Sequence, residues 1–162
     1  MAKIDILALP YRPCVGLVVL NGQGLVFAAQ RLDRHYDAWQ MPQGGIDKGE
    51  APRTAALREL EEETGIQPAR VEVVRESAGW LNYDVPHDLV PQLWGGRYRG
   101  QKQRWFAVRF LGSDTEIDIE TEHPEFRTWR WMAATDVIAS AVEFKRHTYT
   151  RVFEEFDDLI DM

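Results

Sequence analysis

Cysteine, long apolar runs and excess positive charge are all scarce in this chain. The single cysteine among 162 residues, Cys14, excludes an intramolecular disulfide. That scarcity suits a reducing compartment, and the expected location is the cytoplasm. The longest apolar stretch, Cys14–Leu20, falls far short of the ~20 residues that a bilayer-crossing helix needs. The N-terminus carries neither a basic start nor an apolar signal core, so neither export nor a membrane partner is expected. Lys and Arg number 19 against 26 Asp and Glu, a net charge of −7. That balance excludes a protein that coats nucleic acid through a broad basic face, while leaving room for a local pocket that grips one phosphorylated end. His35, His87, His123 and His147 fall in no metal-ligand pattern.

The chain is long enough to bury a core, and 44% hydrophobic with 28% charged residues is ordinary for a globular protein. Residues 1–162 read as one domain without repeats, low-complexity tracts or linkers. After a short lead-in, Cys14–Leu20 predicts a strand buried on both faces. Asn21-Gly22-Gln23-Gly24 predicts a turn into a second strand, Leu25–Arg31, as a hairpin. Asp33–Gln43 reads as a polar loop and His87–Gly100 as another. Strands are expected over Val71–Ser77, Trp80–Val85, Gln103–Leu111 and Thr128–Met132, with helices at Pro52–Thr64, Thr135–Ala139 and Val142–Leu159. In the last of these Tyr149, Val152, Phe153, Phe156 and Ile160 recur at helical spacing and predict a core-facing side. Strands interspersed with helices imply an α/β domain with a mixed sheet between helical layers.

The richest stretch runs from Gly44 to Ile66, GGIDKGEAPRTAALRELEEETGI. Pro52 suits the first turn of a helix, and Gly65 suits its C-terminal stop. Ala55, Ala56, Leu57 and Leu60 offer an apolar side, with the glutamates expected to face outward. On that helix Glu59 neighbours both Glu62 and Glu63. Such carboxylates repel one another unless a cation lies between them, and hard divalent ions, Mg²⁺ above all, favour oxygen ligands. Mg²⁺ held by carboxylates keeps positions for water and substrate phosphates, so the stretch points to phosphate chemistry. Arg58, one residue before this cluster, is expected to orient the glutamates, Glu50 among them.

The order Gly-x5-Glu-x7-Arg-Glu-apolar-x-Glu-Glu-x-Gly-apolar, filled by Gly44, Glu50, Arg58, Glu59, Leu60, Glu62, Glu63, Gly65 and Ile66, resembles the Nudix box at every fixed position. The resemblance implies a Nudix α/β/α sandwich. Further runs extend it over residues 11–156: the YRP start, Trp39-Gln40-Met41-Pro42, Gly100-Gln101-Lys102-Gln103-Arg104-Trp105-Phe106, Pro124-Glu125-Phe126 and Phe144-Lys145-Arg146. These are similar to the group holding bacterial RNA pyrophosphohydrolases and plant-type dinucleoside polyphosphate hydrolases. LVFAAQRL and LWGG resemble the dinucleoside branch; the acidic end at Met162 lacks the basic tail frequent in the RNA branch.

By that resemblance Glu59, Glu62 and Glu63 hold the cations, Mg²⁺ with Mn²⁺ or another divalent ion as substitute, and Gly44 is assigned to the same metal site. Glu125 joins from a distant loop, with Glu122 as the alternative. Glu59 is also the candidate for positioning or deprotonating the attacking water. Arg12, Arg31, Gln101, Lys102, Arg104 and Lys145 are candidate phosphate or base contacts, since cations and amides near a polyanion gain charge-assisted hydrogen bonds. Tyr83 and Phe144 are the aromatic candidates for stacking a base. Trp105, Trp129 and Trp131 are expected in the core, while Trp39 and Trp94 fit either role. The expected activity is cleavage of P–O–P bonds at a nucleotide 5′ polyphosphate end, either RNA 5′-triphosphate or a dinucleoside polyphosphate. The alternatives are a dedicated diadenosine tetraphosphate hydrolase giving ATP and AMP, a hydrolase of damaged triphosphates or nucleotide sugars, and a non-catalytic binding module.

Overall fold

A computed structural model describes residues 5–33 and 37–160. The start of the lead-in, His35 within the Asp33–Gln43 loop, and residues 161–162 lie outside that range. The elements in chain order are β1 (Tyr11–Leu20), β2 (Val26–Arg31), β3 (Gln43–Gly45), α1 (Pro52–Thr64), β4 (Val71–Glu76) and β5 (Leu81–Asp84). They continue with β6 (Gly100–Phe110), β7 (Phe126–Met132), α2 (Ala134–Ser140) and α3 (Glu143–Glu155).

The strands form one mixed, seven-stranded sheet in the order β4-β6-β1-β2-β7, with β3 against β1 and β5 against β6. The β1–β6 pair is parallel along its whole length and the remaining pairs are antiparallel. Strand alternation divides the core between two faces. Val15, Leu17 and Val19 of β1 join Phe106 and Val108 of β6 beneath Ala55, Ala56 and Leu60 of α1. Val18, Leu20, Trp105 and Ala107 point the other way, onto Tyr149, Val152 and Phe153 of α3 and Phe156 just beyond it. Helices cover both faces, which explains why β1 reads as an unbroken apolar run. Trp105 is fully buried, and Trp129 and Trp131 join Phe27 and Phe110 in an aromatic cluster, with Phe27 and Trp129 stacked at 5.3 Å.

The expected hairpin is only a corner. Asn21 closes it by accepting the N–H groups of Gln23 and Leu25 on its side-chain oxygen, but the ladder holds one residue pair, Leu20 with Val26. The strands then part because the chain from Gln40 to Gly45 inserts between them. Ala29 and Gln40 exchange N–H···O bonds at 2.9 Å, Leu17 donates to the Pro42 carbonyl at 3.0 Å, and Gly16 pairs with Gln43. The end of the predicted polar loop is therefore interior, with Gln40 and Met41 buried. The loop expected over His87–Gly100 contains short 3₁₀ helices at His87–Gln92 and Trp94–Gly96, and Gly100 already opens β6. The terminal helix ends at Glu155, earlier than expected, and a separate turn covers Asp157–Leu159.

Candidate active site

Helix α1 starts on Pro52 and ends at Gly65, whose φ of +72° is left-handed. Its inner side is formed by Ala55, Ala56, Leu60, Glu63 and Thr64, so Glu63 is buried and does not face outward with the other glutamates, while Leu57 is only half-buried. The correction has a simple cause. Glu63 packs over β3, where the backbone N–H of Gln43 donates to its Oε2 at 3.2 Å.

Arg58 organises the remaining carboxylates. Its Nε and Nη2 grip both oxygens of Glu50 at 2.8 and 2.9 Å. Nη1 donates to Glu59 at 2.9 Å and to Glu62 at 3.2 Å, and Nη2 also reaches the Gly45 carbonyl at 2.9 Å. Every guanidinium N–H has an acceptor, far more than an ordinary surface ion pair offers. Arg58 holds the Glu50 carboxyl at about 2, aided by the Asp47 N–H.

The two glycines of β3 lie back to back. A Cβ on Gly44 would fall 2.1 Å from the Glu59 carboxyl carbon, and one on Gly45 would fall 2.4 Å from Arg12 Nη2. Glu59 and Arg12 thus approach the same short strand from opposite faces of the sheet. A cavity of about 390 Å³ opens there, lined by Arg12, Arg31, Gly44, Glu59, Tyr83, Gln101, Glu125, Phe144 and Lys145 among others. A second, acidic cavity of about 500 Å³ is bounded by Glu59, Glu62, Glu63, Glu122 and Glu125, with Thr121 and His123. Glu59 and Glu125 belong to both; Glu122 borders only the acidic one.

Within the first cavity Tyr83 and Phe144 lie 5.8 Å apart, and Lys145 is buried. Burial also keeps the Tyr83 phenol neutral by pushing its pKa up. Arg31 is clasped by Asp33 at 2.7 Å and lies 3.7 Å from Glu125. Arg12 lies 5.7 Å from the Trp94 ring and donates to the Cys14 sulfur at 3.3 Å. The Cys14 thiol is fully buried, and burial pushes its pKa up to about 11. Trp94 lines the cavity, with an unusual φ of +48° ahead of two left-handed glycines. Trp39 lines a smaller neighbouring pocket that shares Arg31, Phe144 and Lys145 with the main cavity.

Lys102 lies elsewhere. Alternation along β6 turns Gln101 and Gln103 toward one side, while Lys102 stands 4.8 Å over the ring of Trp80. Arg104 shares that ring and pairs with Glu76 at 2.6 Å. Gln43 was missed by sequence reasoning although it lines the cavity, as were Thr121 and His123 in the acidic cavity. Only the position of Gln43 inside the WQMPQGG run could have flagged it.

The acidic side fits a divalent cation by its donor set and its charge. The facing donors are mainly carboxylates. Burial first, then the charges of Glu59 and Glu125, push the Glu63 pKa well up, and burial raises that of Glu59. Burial and mutual repulsion both disfavour the ionised carboxylates there, and a cation would relieve them. Among the described residues no group of three or more ligands is already closed around a point; Glu59 and Glu62 are engaged by Arg58 and Glu63 by Gln43.

A glycine-lined strand under a glutamate helix, beside a cavity that holds Arg12, Arg31, Lys145 and aromatic rings, has the arrangement that the Nudix resemblance leads one to expect. The chain belongs to that family: the NUDIX domain model matches residues 10–152. It is similar to the RNA pyrophosphohydrolase of Roseobacter denitrificans, 58% identical over 97% of this chain and 98% of the relative. The RNA pyrophosphohydrolase of Dinoroseobacter shibae is 56% identical over 98% of this chain and 99% of that protein. Among solved structures, a C. elegans Ap4A hydrolase binary complex superposes with a TM-score of 0.66 at 20% identity, covering 91% of this chain and 98% of that one. The E. coli dihydroneopterin triphosphate pyrophosphohydrolase gives 0.69 at 20% identity, covering 88% and 96%. Both confirm the fold. Nudix hydrolases use divalent metal ions and act on acid anhydrides.

Proposed function

We propose that this single Nudix domain is a cytoplasmic, Mg²⁺-dependent pyrophosphohydrolase whose first substrate is the 5′-triphosphate end of RNA, with Mn²⁺ or another divalent ion able to substitute. The observation that carries the reading is that the acidic cavity and the cavity holding Arg12, Arg31 and Lys145 abut at Glu59 and Glu125. It is supported by relatives matched over nearly their full length. The reaction adds water across a P–O–P bond: triphosphorylated RNA and water give 5′-monophosphorylated RNA and pyrophosphate. Glu59, Glu62, Glu63 and Glu125 would hold the cation, with Gly44 keeping the space beside Glu59. A bound divalent ion neutralises phosphate charge and makes water more acidic. Glu59 would orient the attacking water or take its proton, and Arg58 fixes Glu59. Arg12, Arg31, Gln101 and Lys145 bind the polyphosphate, while Tyr83 and Phe144 offer ring surface to the base. Lys102, turned toward Trp80, serves at most as a peripheral contact.

The test sets 5′-triphosphorylated RNA beside diadenosine tetraphosphate under Mg²⁺. Fast conversion of the RNA to its monophosphate, with slow dinucleotide cleavage, is the expected result. The reverse ranking, with ATP and AMP released, would make the chain a dinucleoside polyphosphate hydrolase. Glu62→Gln should lower kcat by about a hundredfold or more with an unchanged melting temperature. Wild-type turnover in that variant at saturating Mg²⁺ would remove Glu62 from the metal site.

A further inference from the structure

Beneath the cavity wall lies a hydrogen-bonded chain with only one possible direction. An indole N–H donates and never accepts. Trp105 Nε1 donates to Gln103 Oε1 at 2.9 Å, which fixes the amide oxygen of Gln103 and turns its nitrogen the other way. That nitrogen donates to Gln101 Oε1 at 2.7 Å and to Gln43 Oε1 at 3.5 Å. Trp105 and Gln103 are 0% and 1% exposed. Reversing the Gln103 amide would set its NH₂ against the indole N–H, two donors facing each other without water, at a cost that forbids it. The oxygens of Gln101 and Gln43 are therefore engaged inward. Gln101 keeps its NH₂ for the cavity that both glutamines line.

We infer that Trp105 and Gln103 are positioning residues that lock Gln101 as a hydrogen-bond donor, so that this wall selects substrate atoms able only to accept, the non-bridging oxygens of a polyphosphate. The inference rests on the reading of the cavity as a polyphosphate-end site and names two residues that act on it from the core. Without the lock, the Gln101 amide is free to present its oxygen, which repels a phosphate oxygen.

Steady-state kinetics on 5′-triphosphorylated RNA test this with Gln101→Met, Gln103→Met and the double variant, each checked by thermal unfolding. Each single change should raise KM about tenfold while kcat stays within about threefold, the loss of one hydrogen bond to a charged group. The double variant should be no worse than Gln101→Met alone, because Gln103 acts only through Gln101. Multiplying effects, near a hundredfold in KM, would overturn the lock. Trp105→Phe should raise KM in the wild-type background and leave it unchanged in the Gln101→Met background.

A second measurement needs no variant to fold. In ¹⁵N spectra of the wild-type protein, the Gln101 side-chain amide should shift on adding inorganic tripolyphosphate and stay in place with guanosine. A shift with guanosine alone would assign the donor to a base carbonyl and overturn the phosphate selection, as would no shift with either probe. A wild-type protein that leaves triphosphorylated RNA intact counts against the substrate reading, while the tripolyphosphate spectrum still judges the wall.

Discussion

Arg58 and Gly44 each hold Glu59 in place, one by binding it and the other by having no side chain. Because Arg58 keeps Glu50 at about 2, the fold stabilises the Glu50 carboxylate relative to an unfolded chain near 4.5. That contribution is complete above pH 4.5 and disappears as pH falls through 2. The melting temperature of wild type should exceed that of Glu50→Gln at neutral pH, and the gap should close between pH 4.5 and 2. A gap that persists below that window would mean that the Glu50 side chain stabilises the fold by packing rather than charge. Gly44→Ala pushes a methyl group into the Glu59 carboxylate and should cost about a hundredfold in kcat, the usual effect of an ångström-scale displacement of a catalytic group. Gly45→Ala meets Arg12 on the other face, so its effect should fall on KM. Paired kinetics on the two alanine variants separate these outcomes, and identical effects would contradict the back-to-back arrangement.

Between elements, the chain from Gln40 to Gly45 is wedged between β1 and β2 and tied down from the far side of the sheet. The buried Met41 N–H donates to the Tyr149 hydroxyl at 3.2 Å. Tyr149→Phe leaves that N–H without a partner and should cost about 1–3 kcal/mol in urea unfolding. A loss below about 0.5 kcal/mol would show that the wedge is held by its strand contacts alone. This wedge is where sequence reasoning fell short. The apolar run of β1 and the wheel of α3 announce their faces because burial repeats with the period of the element. Gln40-Met41-Pro42-Gln43 has no period; its burial comes from partners distant in sequence. The same limit explains Glu63 and Lys102. A helical wheel puts Glu63 beside Glu59 but says nothing of the β3 strand that covers it. Two-residue alternation says that Gln101 and Lys102 oppose each other, but not which of them meets the cavity. The box residues were legible because their spacing is local to one loop and one helix.

Across the whole molecule, cationic groups gather at one cavity of a chain whose net charge is −7. Arg12, Arg31 and Lys145 line that cavity, where a bound polyphosphate would meet them. Counterion release for a single strand lowers log affinity against log salt with a slope of about −0.7 per phosphate neutralised, so this site should show a slope near −2. RNA beyond the first nucleotides meets a surface that is on average negative, like the RNA itself, and adds little. The KM for triphosphorylated RNA should therefore change less than about threefold between a short oligomer and a long transcript, at every salt concentration. A slope that steepens with RNA length would reveal an extended cationic track, and the pair of Lys102 and Arg104 around Trp80 would be the first place to look for it. A slope near −2 at both lengths confines recognition to the 5′ end.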